Sequence, residues 1–328
     1  MEVLAASHSS YPRIGTPLEK QVHREAYAKL ERGEISMAEF ERVEDEVVRE
    51  VIEEQTTAGL DILTDGQIRW HDPISHIARK LEGCEIDGLL RFFDTNFYFR
   101  QPVIKGEIAR REPIILREFR FAKGVSEKPL KAVLTGPYTL ARLSINRRGV
   151  PLDVIAREFA HVISEEVKDL AGAGAEIIQV EEPAILRHPE DYHLLEGLVK
   201  EVCEEKGNSE IILTTYFGDA AQFYGKFMRL PVDGLGLDFT YSPRLPDVIA
   251  RLGCTKNLSL GIVDGRNTRM ERTEEVLPTL EKILPTVGSE RVYITTSCGL
   301  GDYLPREVAF KKLQKVAEIA RMAGEMVE

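Results

Sequence analysis

Eight short apolar runs, nearly all followed by a stretch with helical spacing, constrain the fold of this 328-residue chain more than any other feature. The runs are VLAA (3–6), GLDILTDG (59–66), AVLTGP (132–137), EIIQVEEP (176–183), EIILTTYFG (210–218), GLGLDF (234–239), LSLGIVDG (258–265) and VYITTSCGL (292–300). Their apolar residues are continuous rather than alternating, as in parallel strands buried on both faces. Helical patterns cover 18–58, with a break near Gly33, then 152–173 and 305–322. Eight such units predict an α/β fold of the (β/α)₈ TIM barrel type. A doubly wound sheet would use fewer strands and a Gly-rich first turn. No GxGxxG or GxxxxGK[ST] is present, so no nucleotide cofactor is expected.

One segment breaks the rhythm. RFFDTNFYFRQPVIKGEIARREPIILREFRF (91–121) alternates aromatic or aliphatic residues with polar ones. This predicts a β-hairpin insertion over 84–128, after the second unit. No linker rich in Pro, Gly or Ser divides the chain, so 1–328 reads as one domain.

Composition narrows the function. A net charge of -11 argues against nucleic acid or an anionic membrane surface as partner. No apolar run approaches eighteen residues, so no transmembrane helix is expected. The first residues lack a basic and a long apolar region, so no signal peptide is expected. Four scattered cysteines without a CxxC pair fit a reducing cytoplasm.

In such a barrel the active site lies at the C-terminal strand ends. The ends here carry Ser9, Ser10, Tyr11 and Arg13; Asp65 and Gln67; Thr135 and Tyr138; Glu181 and Glu182; Thr214, Thr215 and Tyr216; Asp238; Asp264; and Ser297 with Cys298. Helix capping is the competing explanation for Ser10 and Asp264. It explains Glu181 and Glu182 less well, because two adjacent acids followed by proline cannot both be caps. Successive strand residues face opposite sides, so one of the pair should face the mouth and could hold an ammonium group. Cys298 is either a small packing residue or a thiolate exposed to the mouth. Trp70, in RWHDPISH (69–76), forms either a stacking wall for a flat ligand or part of the barrel rim. No histidine ends a late run beside Cys298, and no GxSxG elbow is present.

SSYPRIG, GLDILTDGQIRWHD, FFDTNFYF, LTGPYTLA, IIQVEEPA, LTTYFGD, LPVDGLGLDF and TTSCGL occur in this order. On these motifs the chain resembles the cobalamin-independent methionine synthases along nearly its whole length. The two-barrel members have two such barrels, and this chain resembles the single-barrel or split forms. FFDTNFYF, LTTYFGD and IRWHD are similar to the N-terminal barrel of the two-barrel enzymes, which carries no catalytic zinc.

The resemblance implies methyl transfer from a 5-methyl tetrahydropterin to homocysteine, by a methyltransferase of methionine biosynthesis. It implies a zinc ion that holds the thiol as thiolate, bound by an HxC motif, an acid and the Cys of a CGL motif. Carried over, Cys298 matches the last ligand and Asp238 stands where the family has glutamate. Thr215 and Phe217 occupy the HxC positions, so the family zinc site is incomplete. Ser10 matches a serine that contacts the amino acid. Gln67 stands in place of a shared glutamate, and Glu181 in place of an aspartate that holds the substrate ammonium. Leu143 replaces the aromatic that stacks on the pterin, leaving Trp70 or Tyr138 for that task. Arg13 is available to an anionic group. The alternative the resemblance offers is a non-catalytic barrel that binds or positions a separate zinc-bearing catalytic barrel.

Overall fold

The computed structural model describes residues 1–301 and 303–327. Its centre is a seven-stranded sheet in which all pairs are parallel. β1 (Glu2–Ala5) leads through SSYPRIG to α1 (Val22–Glu31) and α2 (Met37–Thr57). A short α3 (Ser75–Ala78) precedes β2 (Leu81–Arg91), β3 (Tyr98–Arg110) and α4 (Leu116–Val125). The βα rhythm then resumes as β4 (Lys131–Thr135), α5 (Pro137–Arg142), β5 (Ile145–Asn146), α6 (Leu152–Gly172), β6 (Ile177–Glu181) and α7 (Tyr192–Glu204). It continues as β7 (Glu210–Thr215), α8 (Tyr224–Phe227), β8 (Gly234–Asp238), α9 (Leu245–Leu252), β9 (Asn257–Val263), α10 (Thr273–Ile283), β10 (Arg291–Thr296) and α11 (Arg306–Glu325).

The order β1-β10-β9-β8-β7-β6-β4 leaves β1 and β4 as edges. Ile62 and Leu63 join them through bridges to Ala6 and Leu130, which closes an eight-membered barrel. The run 59–66 therefore takes a barrel place without becoming a strand. Its backbone is diverted: Gln55 of α2 accepts from the Thr64 N–H at 3.0 Å and donates to the Thr64 carbonyl at 2.9 Å. Every residue of β4, β6 and β8 is buried, which explains the continuous apolar runs.

The insertion differs from the sequence reading in its extent. The antiparallel hairpin is β2–β3, with β5 added parallel to β3. Residues 116–125 are helical instead, with Leu116, Phe119 and Ala122 buried at helical spacing. The hairpin turn folds back over the barrel mouth. Phe92 and Phe97 lie on the cavity wall, and Arg187 pairs with Asp94 at 2.6 Å to tie the turn down.

Candidate active site

The strand ends and the hairpin turn enclose a cleft of about 460 Å³, counting the part open to solvent. Ser10, Arg13, Gln67, Trp70, Glu181, Phe217 and Cys298 all line it. Tyr138, Thr215 and Asp238 do not. Tyr138 is fully buried, and its hydroxyl donates to Asp191 at 2.6 Å, which takes the ring away from the cleft.

Glu181 and Glu182 divide their work as alternation requires. Glu182 turns outward, where its two oxygens accept from the Tyr138 and Thr139 N–H groups at 2.9 and 2.7 Å. It thus caps the start of α5. A Cβ on Gly136 would lie 2.3 Å from this carboxyl, so only glycine fits there. Burial outweighs these hydrogen bonds and pushes the Glu182 carboxyl up to about 7. Glu181 turns inward to the cleft. It accepts from Tyr216 Oη at 2.7 Å and from Gln179 Nε2 at 2.8 Å. Burial raises its pKa, and the Tyr216 and Gln179 hydrogen bonds, the Lys131 charge and the Ser9 hydroxyl oppose that rise.

His8 lies 3.6 Å from Glu181 through Nδ1, which is ion-pair distance. Burial, followed by the Lys131 charge, pushes its pKa well below the usual value, so the imidazole is neutral and the contact is polar rather than ionic. Its Nδ1 bonds the Ser9 hydroxyl at 2.9 Å. Sequence reasoning missed His8 as a buried neighbour of Glu181. The only available signal was its position two residues before Ser10.

The SSYPR loop meets the CGL loop closely. Ser10 Oγ accepts from the Gly301 N–H at 3.1 Å, and a Cβ on Gly299 would come within 2.3 Å of that oxygen. Arg13 donates to the Trp70 carbonyl at 2.6 Å. Trp70 has one face stacked on His76, with centroids 4.7 Å apart, and its indole N–H bonds Glu118 at 3.0 Å. Gln67 combines two signs of a binding residue: a φ of 52° and a buried Nε2 with no protein partner. Among the described residues, the other non-glycine residues with positive φ are Phe93 in the hairpin turn and Phe217 on the wall. Backbone strain among the described residues is thus concentrated around this cleft.

The side where the resemblance places zinc is built otherwise. The Phe217 ring packs at 4.7 to 6.3 Å from Tyr216, Phe92, Phe93, Tyr241 and Tyr303. The Arg266 guanidinium lies 5.3 Å from its centroid. Asp238 accepts from the N–H groups of Phe217, Thr240 and Tyr241 and from the Thr240 hydroxyl. The Thr215 hydroxyl is buried without a partner. Burial, then the nearby Asp238 charge, pushes the Cys298 thiol well above its usual range, so it is neutral. One thiol, one engaged carboxylate and a phenyl ring do not make a zinc site. Among the described residues, the one His/Cys/Asp/Glu group close enough to share an ion is His188, Glu190 and Asp191. Arg142 already pairs with that group, at 3.2 Å from Asp191.

A family model described as cobalamin-independent synthase, catalytic domain, matches residues 10–322. The methionine synthase of Saccharolobus solfataricus is 32% identical over 307 residues, covering 92% of this chain and 91% of that protein. That of Sulfurisphaera tokodaii is 32% identical over 308 residues, covering 92% and 88%. Among solved structures, a B12-independent methionine synthase from Shewanella sp. W3-18-1 in complex with selenomethionine superposes with a TM-score of 0.82 at 20% identity, covering 100% and 99%. A methyltransferase from Methanosarcina mazei superposes with a TM-score of 0.63 at 13% identity, covering 100% and 95%. The two structural likenesses are likenesses of fold.

Proposed function

Because the chain belongs to the cobalamin-independent methionine synthase family, we propose that it binds the amino acid of the methionine-forming reaction, while a separate zinc-bearing barrel activates the thiol. The observation that carries this reading is the contrast within one cleft. Glu181 is an inward carboxylate held at both oxygens, and the unpartnered Gln67 amide lies on the same wall. The first suits an ammonium group, and the second, with Arg13, a carboxylate. The metal side offers no ligand set. A homocysteine thiol is mostly protonated near neutral pH, and the thiolate is the nucleophile, so this cleft alone lacks the means to activate it.

A second reading is autonomous methyl transfer from a 5-methyl tetrahydropterin to homocysteine. It is favoured by Ser10, Glu181 and Cys298 lining the same cleft. In that reaction the S–CH₃ bond forms as the N5–CH₃ bond breaks, the thiol proton leaves to a base, and N5 gains a proton.

The setting we propose is the cytoplasm. The four cysteines are free, and no helix among the described residues is long and apolar enough to cross a membrane. The test is methionine formation from homocysteine and a 5-methyl tetrahydropterin. The chain alone, supplied with zinc, should give none. A barrel with intact HxC and CGL motifs from the same cell should co-purify with it and turn over faster in its presence. Turnover by the isolated chain establishes the second reading.

A further inference from the structure

Lys131 is the first residue of β4, and it is 4% exposed inside the barrel wall. A lysine ammonium has three donors and no acceptor, and a buried one needs a partner. Nζ has one in Gln179 Oε1, at 2.6 Å. This contact fixes the amide: with its oxygen toward the ammonium, its NH₂ faces the other way and donates to Glu181 Oε1 at 2.8 Å. Glu181 accepts at its other oxygen from Tyr216 Oη at 2.7 Å. Both bonds favour the ionised carboxyl.

We infer that Lys131 is a positioning residue which, through Gln179, holds Glu181 ionised and turned to the cleft, so that the affinity for a ligand ammonium group is set from within the barrel wall. The inference rests on the reading of Glu181 as the ammonium holder. The other groups around Glu181 do not supply this cation. Ser9 and the neutral His8 face it from the end of β1, and Tyr216 from the end of β7. Asp72 shares the cleft but is bonded to Ile74, Ser75 and Arg100. Arg13 is bonded to the Trp70 carbonyl. Beyond Lys131 lies Glu210, bonded to Tyr293.

Burial pulls the Lys131 ammonium down to about 7, with the Glu181 and Glu210 charges opposing the drop. The ammonium therefore loses its proton near neutrality, and the hold on Glu181 weakens as it does. A methionine at position 131 would fill a similar space without a buried charge, so the lysine is not explained as filler.

The test compares the wild type, Lys131→Met and Gln179→Leu. Infrared difference spectra of each against its own Glu181→Gln version, from pH 5 to 9, report whether residue 181 is ionised. Calorimetric titration with L-methionine over the same range reports the cleft. In the wild type, residue 181 should be ionised at pH 7, and affinity should fall as pH drops through its titration. In both variants that titration should lie about one pH unit higher, so that on its acid side L-methionine binds up to about tenfold more weakly than to the wild type, and the difference should vanish by pH 9. A protonated residue 181 in the wild type at pH 7 overturns the inference. So does a pair of variants with wild-type spectra and pH profile. If Lys131→Met does not fold, Gln179→Leu and the wild-type spectra still decide. If the wild type binds no L-methionine while the spectra shift as expected, the ammonium reading falls and the Lys131 role stands.

Discussion

The two sides of the cleft are built by opposite rules. On the Glu181 side, polar groups are fixed by other polar groups: Tyr216 and Gln179 on the carboxylate, Gly301 on Ser10, Trp70 on Arg13. On the Phe217 side, charge has been neutralised or tied up: a ring packed among five others, a neutral thiol and a carboxylate held by the backbone. The lesson is that one barrel mouth can hold a network of mutually fixed polar groups on one side and a packed aromatic cluster on the other. Both halves still use residues the strand ends must supply.

The largest expected effect tests whether the metal half has become structural. Phe217→Ala should destabilise the protein by about 3–5 kcal/mol, the usual range for a buried aromatic, read from urea denaturation. A loss below about 1 kcal/mol would mean that the ring only occupies space and the contrast fails. Next comes the recognition half. Glu181→Gln should weaken L-methionine binding ten- to a hundred-fold, as expected of a charge-assisted bond of about 1.5–3 kcal/mol. Stability at pH 7 should hold or rise, since a buried carboxylate is removed. Unchanged affinity would place the ammonium elsewhere.

Glu182 sharpens the contrast from outside the cleft. Its folded pKa of about 7 lies above the ordinary 4.5. Between those values the native state keeps a proton that the unfolded chain has lost. Its contribution is therefore fully present below pH 4.5 and is lost as pH rises through about 7, with a slope of at most about 1.4 kcal/mol per pH unit. Glu182→Gln should flatten that part of the stability profile, measured as urea midpoints at pH 5, 6 and 7. An unflattened profile would show the carboxylate ionised throughout, with the two N–H bonds winning over burial.

The sequence made the barrel legible because strands buried on both faces must be continuously apolar. It could not show that Gln55 would capture the backbone at Thr64. Nor could it separate the hairpin from α4: Leu116, Arg117, Glu118, Phe119, Arg120 and Phe121 also read as partly alternating over so short a window. Most cleft residues were readable as polar strand ends. The groups that contact the lining from behind, His8, Lys131 and Arg266, were not, because each acquires its meaning from a distant partner. Lys131 is 48 positions from Gln179, and Arg266 is 49 from Phe217. Tyr138 misled for the converse reason: it follows a strand end, yet its hydroxyl reaches back to Asp191.

The smallest expected effect is the one that bears most directly on chemistry. A ligand that binds only the folded state at a hundred times its dissociation constant adds about 2.7 kcal/mol. For a chain of this size that is a rise of several degrees in Tm. Zinc should produce no such rise, because Phe217 has no donor atom, the Asp238 carboxylate already accepts four hydrogen bonds, and deprotonating Cys298 would put another negative charge beside that carboxylate. The matched control is the combined variant Thr215→His, Phe217→Cys and Asp238→Glu, which supplies the missing donors at the same strand ends. Its Tm should rise with zinc and its metal content should approach one per chain. A zinc-dependent rise in the wild type, abolished by Cys298→Ser, would show that the two halves of the cleft are less different than their residues suggest. Chelator-treated wild type with an unchanged Tm would confirm that the packed ring, and not a metal, holds this side together.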